Sequence, residues 1–158
     1  MKATRREVLV TIAALAAASP AEAQATLLSP PELDTLKALA ETIIPRTDTP
    51  GAIDAGVPAQ IDRRLAANPQ LAQSFRTGLA ALDADAKSRF GAAFSALTAQ
   101  QKIDLLTPRV EDPFFRTVKD MTVDAYYTSR EGLSEELGWH GNTFLPEFKG
   151  CTHPEHQH

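Results

Sequence analysis

The stretch 112–129, DPFFRTVKDMTVDAYYTS, gives the clearest fold signal in this 158-residue chain. Asp112-Pro113 is a typical helix start. One apolar face follows it at helical spacing, formed by Phe114, Val118, Met121 and Ala125. We therefore expect an amphipathic helix that ends near Ser129.

Capping patterns and apolar spacing predict the other helices. Ser29 to Glu32 and Thr98 to Gln101 are capping boxes, and Pro45 ends the helix that the first box begins. Pro58 opens a short helix, and the segment from Pro45 to Val57 has the composition of a loop. Two further stripes have helical spacing: Leu71, Phe75, Leu79 and Leu82, and then Phe90, Phe94 and Leu97.

These patterns predict an all-α fold, because no stretch alternates with period two for long enough to indicate a sheet. We expect a compact bundle of about six short helices with an extended C-terminal arm. The predicted organisation is a signal peptide over 1–23, a linker and helix cap over 24–32, the helical domain over 33–138 and the arm over 139–158.

The N-terminus is typical of a twin-arginine export signal, which directs a folded protein to the periplasm. Arg5 and Arg6 precede an apolar run of eleven residues, Val8 to Ala18, which is shorter than the roughly 20 residues of a membrane-spanning helix. An Ala-x-Ala pattern places cleavage after Ala23. An ordinary secretory signal that contains two arginines is the alternative.

Charge and motifs exclude several classes of function. The net charge of −4, with no basic stripe, argues against nucleic acid as a partner. The chain has no glycine-rich dinucleotide fingerprint, and its single cysteine cannot supply a c-type haem or an iron–sulfur cluster. Asp83 and Asp85 lie two positions apart, so on a helix they point apart and are expected to be solvated surface.

The last eight residues contain the only cysteine and three of the four histidines. In an oxidising compartment an odd cysteine suggests a disulfide to another chain, so Cys151 is the candidate for an intersubunit bridge. An unpaired thiol without a role is the alternative. A zinc or copper site that uses the thiolate and imidazoles of this tail is a further alternative, but a chain terminus does not pre-position ligands, and we predict no metal site.

The segment 41–52, ETIIPRTDTPGA, followed by AGVP at 55–58, resembles the gluconate 2-dehydrogenase subunit 3 family. Phe114-Phe115, Tyr126-Tyr127 and the late Gly150-Cys151 are similar as well. The resemblance covers roughly residues 33–151. It implies a non-catalytic small subunit that binds no cofactor itself.

The resemblance also implies the partners. A large flavoprotein dehydrogenase would carry FAD and oxidise a sugar, polyol or sugar acid, and a multihaem cytochrome c with haem c would form a third subunit in some complexes. The twin-arginine translocase would export the assembly to the periplasm, where partners could associate it with the membrane. No catalytic residue is implied in this chain.

Two low-periodicity segments are the expected contacts with the large subunit: the loop with Thr47, Asp48 and Pro50, and the tail from Trp139 to Cys151. Trp is enriched among residues that dominate interfaces, although Trp139 could equally pack on the last helix. A tail histidine, His153 or His156, could reach the partner's active site. An export chaperone that dissociates after translocation, or a periplasmic metal-binding module, remains as an alternative function.

Overall fold

The computed structural model describes residues 26–141. Across these residues it contains five α-helices, two short 3-10 helices and one π-helical turn, and no strand. The α-helices are α1 (Pro30–Ile43), α2 (Val57–Ala66), α3 (Pro69–Phe90), α4 (Ala99–Leu106) and α5 (Pro113–Tyr127). The 3-10 helices are Phe94–Ala96 and Thr107–Arg109, and the π-helical turn is Glu131–Glu136. The predicted all-α bundle is confirmed.

Helix α1 lies at the centre of the bundle, in contact with each of the other four α-helices. Its Leu36, Leu39 and Ala40 have no exposed surface. The predicted capping box starts it: the Ser29 N–H donates to the Glu32 carboxylate at 2.8 Å. The largest buried side chains around it include Phe75, Leu79 and Leu82 from a predicted stripe, and Tyr126, which lies outside the predicted stripes. The core therefore forms where the helical periodicity places apolar residues.

A buried carboxylate fixes the chain where it enters α1. Asp62 on α2 is 6% exposed and accepts the N–H of Leu28 at 2.9 Å and that of Leu27 at 3.1 Å. Arg76 on α3 donates to the carbonyl of Leu27. These bonds hold Leu28, which is 1% exposed, in the core. A buried carboxylate is stable in such a place because hydrogen bonds from N–H groups replace its hydration.

The prediction that one helix carries Phe90, Phe94 and Leu97 is wrong. Helix α3 ends at Phe90, Gly91 adopts a left-handed conformation with φ 73°, and Phe94 begins a 3-10 helix. The Asp83 carboxylate accepts the Phe94 N–H at 2.9 Å and so turns the chain back onto α3. Phe94 is nevertheless fully buried. The apolar pattern predicted the burial of Phe94 correctly, but it did not predict that the helix breaks between Phe90 and Phe94.

The C-terminal end of the described chain also differs from expectation. Helix α5 ends at Tyr127, close to the predicted Ser129, but the π-helical turn that follows it has no counterpart in the prediction. Nowhere in residues 26–141 is a helix both long and apolar enough to cross a membrane.

We expect Asp62→Ala to lower the free energy of unfolding by about 2 kcal/mol, because two buried N–H groups lose a charged acceptor. Urea denaturation of the purified chain measures this change. The matched control is Asp34→Ala, whose carboxylate is exposed and pairs only with Lys37 at 3.3 Å. That change should cost less than about 0.5 kcal/mol. Equal losses in the two variants would contradict the structural role of Asp62.

Candidate functional site

The loop 45–56 between α1 and α2 is an ordered surface feature held by two carboxylates. Glu41, in the last turn of α1, accepts the N–H of Arg46 at 3.1 Å and that of Ile53 at 3.4 Å. Asp54 accepts the Gly51 N–H at 3.0 Å and pairs with the Arg46 guanidinium at 2.9 Å. These two carboxylates therefore accept hydrogen bonds from three backbone N–H groups of the loop, those of Arg46, Gly51 and Ile53.

Tyr126 of α5 fixes the same loop from the other side. Its ring is 1% exposed, and its hydroxyl donates to the carbonyl oxygen of Pro50 at 2.6 Å. Burial and the nearby Glu136 carboxylate raise the pKa of Tyr126 above its usual value near 10. The hydroxyl therefore stays protonated at neutral pH and remains a hydrogen-bond donor.

The π-helical turn brings the C-terminal part of the described chain against the loop. Ser129 accepts the Gly132 N–H at 3.1 Å. A Cβ on Gly132 would lie 2.2 Å from the carbonyl oxygen of Tyr126, so only glycine allows this close approach. Glu136 then accepts a hydrogen bond from the Thr49 hydroxyl. The loop and the turn thus form one surface, which we call the loop–turn surface (residues 47–50 and 131–139).

The structure places the predicted contact residues on this surface. Thr47 and Asp48 are exposed, Pro50 is half-buried, and Trp139 is 47% exposed. The Trp139 N–H donates to the carbonyl of Leu133 at 2.8 Å, which ties this residue to the turn. The predicted residues that lie outside the described range are Arg5, Arg6, Ala23, Cys151, His153 and His156, and their roles stay predictions.

The sequence did not predict which side chains build the surface. They are Glu41, Asp54, Tyr126 and Glu136. Asp54 alone left a local signal, since an aspartate that accepts an N–H three residues away is ordinary turn chemistry. The others act across the fold or, for Glu41, from the end of a helix into the loop that follows.

Asp83 and Asp85 of α3 each form an ion pair with a basic residue of the same fold. Asp83 pairs with Lys87 at 2.6 Å, and Asp85 pairs with Arg109. Partial burial raises the pKa of Asp83, but hydrogen bonds from Lys87 and the Phe94 N–H outweigh it and lower the pKa below its usual value. A lowered pKa suits an ion pair better than a general acid near neutral pH. Among residues 26–141, no three His, Cys, Asp or Glu side chains are grouped as a metal site would require.

We expect Tyr126→Phe to lower the free energy of unfolding by about 1 kcal/mol, because the Pro50 carbonyl loses a buried donor. Hydrogen exchange should also speed up in the loop 45–56. Tyr127→Phe is the matched control, since its side chain is 37% exposed and water can replace its hydroxyl contacts. Unchanged loop exchange in Tyr126→Phe would contradict the restraint.

A search of curated proteins found no match, and neither did a search of solved structures. The family described as gluconate 2-dehydrogenase subunit 3 matches residues 30–146, a range that includes all five α-helices and the loop–turn surface. Because the match covers well over half of the chain, the protein belongs to the gluconate 2-dehydrogenase subunit 3 family.

Proposed function

We propose that this chain is the non-catalytic small subunit that escorts a flavin-dependent dehydrogenase to the periplasm and stabilises it there. The family match carries the proposal, because a subunit of a gluconate 2-dehydrogenase complex implies a dehydrogenase partner. The substrate would be a sugar, polyol or sugar acid with a CH–OH group. The partner supplies the flavin chemistry, and this chain supplies the export signal and a binding surface.

We assign FAD to the partner subunit and not to this chain. Dinucleotide cofactors are commonly held where a glycine-rich turn joins a strand to a helix, so that the helix N-terminus meets the pyrophosphate. The described part of this chain has helices and no strand, and therefore no such turn. Its carboxylates at Glu41, Asp54 and Asp62 are engaged by backbone N–H groups of the fold.

Export of a flavoprotein explains why this chain would carry a twin-arginine signal. The twin-arginine route moves folded proteins, and a flavin is inserted as its protein folds. Arg5 and Arg6 would then act for both chains, provided that the complex forms before translocation. A cytochrome c subunit with haem c would be exported separately and join in the periplasm.

The loop–turn surface is the proposed contact with the large subunit, with Trp139 as its aromatic anchor. The arm beyond it extends the contact, and Cys151 would form a disulfide with the partner once both reach the oxidising periplasm. His153 or His156 could approach the partner's active site from this arm.

We expect the double substitution Arg5→Lys, Arg6→Lys to reduce both this chain and its flavoprotein in the periplasm by about tenfold or more. The measurement is cell fractionation with immunoblots and flavin absorbance. The chain offers a matched control in its other arginine pair: Arg63→Lys, Arg64→Lys should leave both amounts unchanged. Normal flavoprotein export with the altered signal would contradict the escort role.

Isolation of the wild-type chain from the periplasm distinguishes the alternatives. A yellow complex with a large partner supports a lasting subunit. A colourless monomer from cells that export the flavoprotein normally would indicate a chaperone that dissociates. A colourless chain with stoichiometric metal would indicate a metal-binding module.

When the complex is isolated in buffer with a reductant, so that no Cys151 disulfide holds the partner, we expect Trp139→Ala to lower the flavoprotein recovered with this chain by about tenfold, because an interface anchor is lost. Trp139→Phe is the control and should keep most of the recovery.

On a non-reducing gel, wild type should run as one covalent band and Cys151→Ser as two. Full recovery with Trp139→Ala, or identical gels, would refute the corresponding contact.

A further inference from the structure

Large apolar side chains that remain exposed within residues 26–141 are unevenly distributed. One lies on α4 and one just after the 3-10 helix that follows α4. Two lie on α5, two just after the π-helical turn, and one in the loop 45–56. In that order they are Ile103 and Val110, Val123 and Tyr127, Leu137 and Trp139, and Ile53. Single exposed apolar residues need no explanation, but a continuous group of them marks an interaction site.

Helix α5 presents such a group as a stripe. Phe115, Lys119, Val123 and Tyr127 follow one another at steps of four, which places them along one side of the helix. The stripe is about 18 Å long at 1.5 Å of rise per residue. Val123 and Tyr127 are 39% and 37% exposed. The opposite side of α5, with Val118, is buried in the core.

A shallow groove widens the stripe at its N-terminal end. Its volume is about 290 Å³, and its walls include Ile43 of α1, Ile103 of α4 and Val110. Phe115 and Lys119 line the groove and also belong to the stripe. Stripe and groove are therefore one apolar surface, which we call the α5 face.

Lys119 places a positive charge in the middle of the α5 face, and Asp120 and Asp124 lie beside Val123 and Tyr127 at its edge. The Lys119 ammonium group lies 3.8 Å from the Asp120 carboxylate, and both side chains are more than half exposed, so this pair is weak. The aliphatic stem can cover apolar surface while the charge turns to a partner. A fitting partner would offer an apolar ridge with a carboxylate beside it.

We infer that the α5 face binds the catalytic flavoprotein subunit, an inference that rests on the proposed function. Family membership supports this occupant, because a subunit of a dehydrogenase complex must bury a surface against the dehydrogenase. The stripe also ends next to the loop–turn surface: a Cβ on Gly132 would lie 3.0 Å from the Cα of Tyr127. Area supports it as well. A lasting complex buries about 1,000 Å² on each side, with some 20–30 residues, whereas the loop–turn surface, the described part of the proposed contact, has 13 residues.

Ile53, the other exposed isoleucine among the described residues, lies outside the α5 face. Ile53 lines a separate groove of about 330 Å³ with Thr26, Leu33 and Pro58, and residues 1–25 leave the domain from Thr26. Ile53 and Ile103 are almost equally exposed, at 47% and 49%. They form a matched pair of the same residue type on two different surfaces.

The test compares Ile103→Glu and Val123→Glu with Ile53→Glu in the full chain, co-expressed with the flavoprotein that wild type retains. The complexes are isolated in buffer with a reductant, so that no Cys151 disulfide can hold the partner. Both α5-face variants should lower the recovered flavoprotein by about tenfold or more, because a charge replaces apolar contact area. Ile53→Glu should recover as much as wild type. Circular dichroism should show the same melting temperature for all three chains, since each side chain is exposed.

Each other outcome overturns the inference. Full recovery with both α5-face variants, or a loss with Ile53→Glu alone, would place the interface elsewhere while the proposed function stands. A wild-type homodimer that Val123→Glu dissociates, with flavoprotein recovery unchanged, would make the face a contact between copies of this chain. If wild type itself retains no flavoprotein, the proposed function fails, and with it this inference.

Discussion

The rest of the structure depends on the burial of helix α1 among all of its neighbours. Such a helix must find partners for the backbone groups at both of its ends, because these groups have none within the helix. At the N-terminus, Ser29 and Glu32 close a capping box, and Asp62 holds the two residues before it. Just past the C-terminus, the Ile44 carbonyl accepts the Ala52 N–H at 3.0 Å. The ends of α1 thus determine the path of the chain on both sides.

The second of these connections stiffens residues 47–50, the loop part of the loop–turn surface. Glu41 at the end of α1 holds the backbone of the loop from one side, and Tyr126 of α5 holds Pro50 from the other. The π-helical turn then adds Glu136 at the rim. A surface restrained in this way loses little conformational entropy on binding, which favours a lasting complex. The family match and the geometry therefore support the same role.

Local patterns predicted most of the fold. Both capping boxes and the amphipathic stripe of α5 are confirmed, because helix starts and apolar periodicity are encoded within a few residues. Phe94 was misjudged, since the Asp83 side chain that captures its N–H lies eleven positions away. The loop was predicted from its composition, but its restraint was not. Tyr126 and Pro50 are 76 positions apart, and no local spacing encodes such a contact.

The way polar groups are used separates the two surfaces that we assign to the partner. In the loop–turn surface, Glu41, Asp54 and the Tyr126 hydroxyl are already engaged within the chain, so they shape the surface without offering strong new bonds. Affinity in a lasting complex must then come mainly from apolar area, which the α5 face supplies through Val123 and Ile103. Charged groups contribute more to orientation than to affinity. We therefore expect residues 47–50 to set the register, and the α5 face together with Trp139 to provide most of the binding energy.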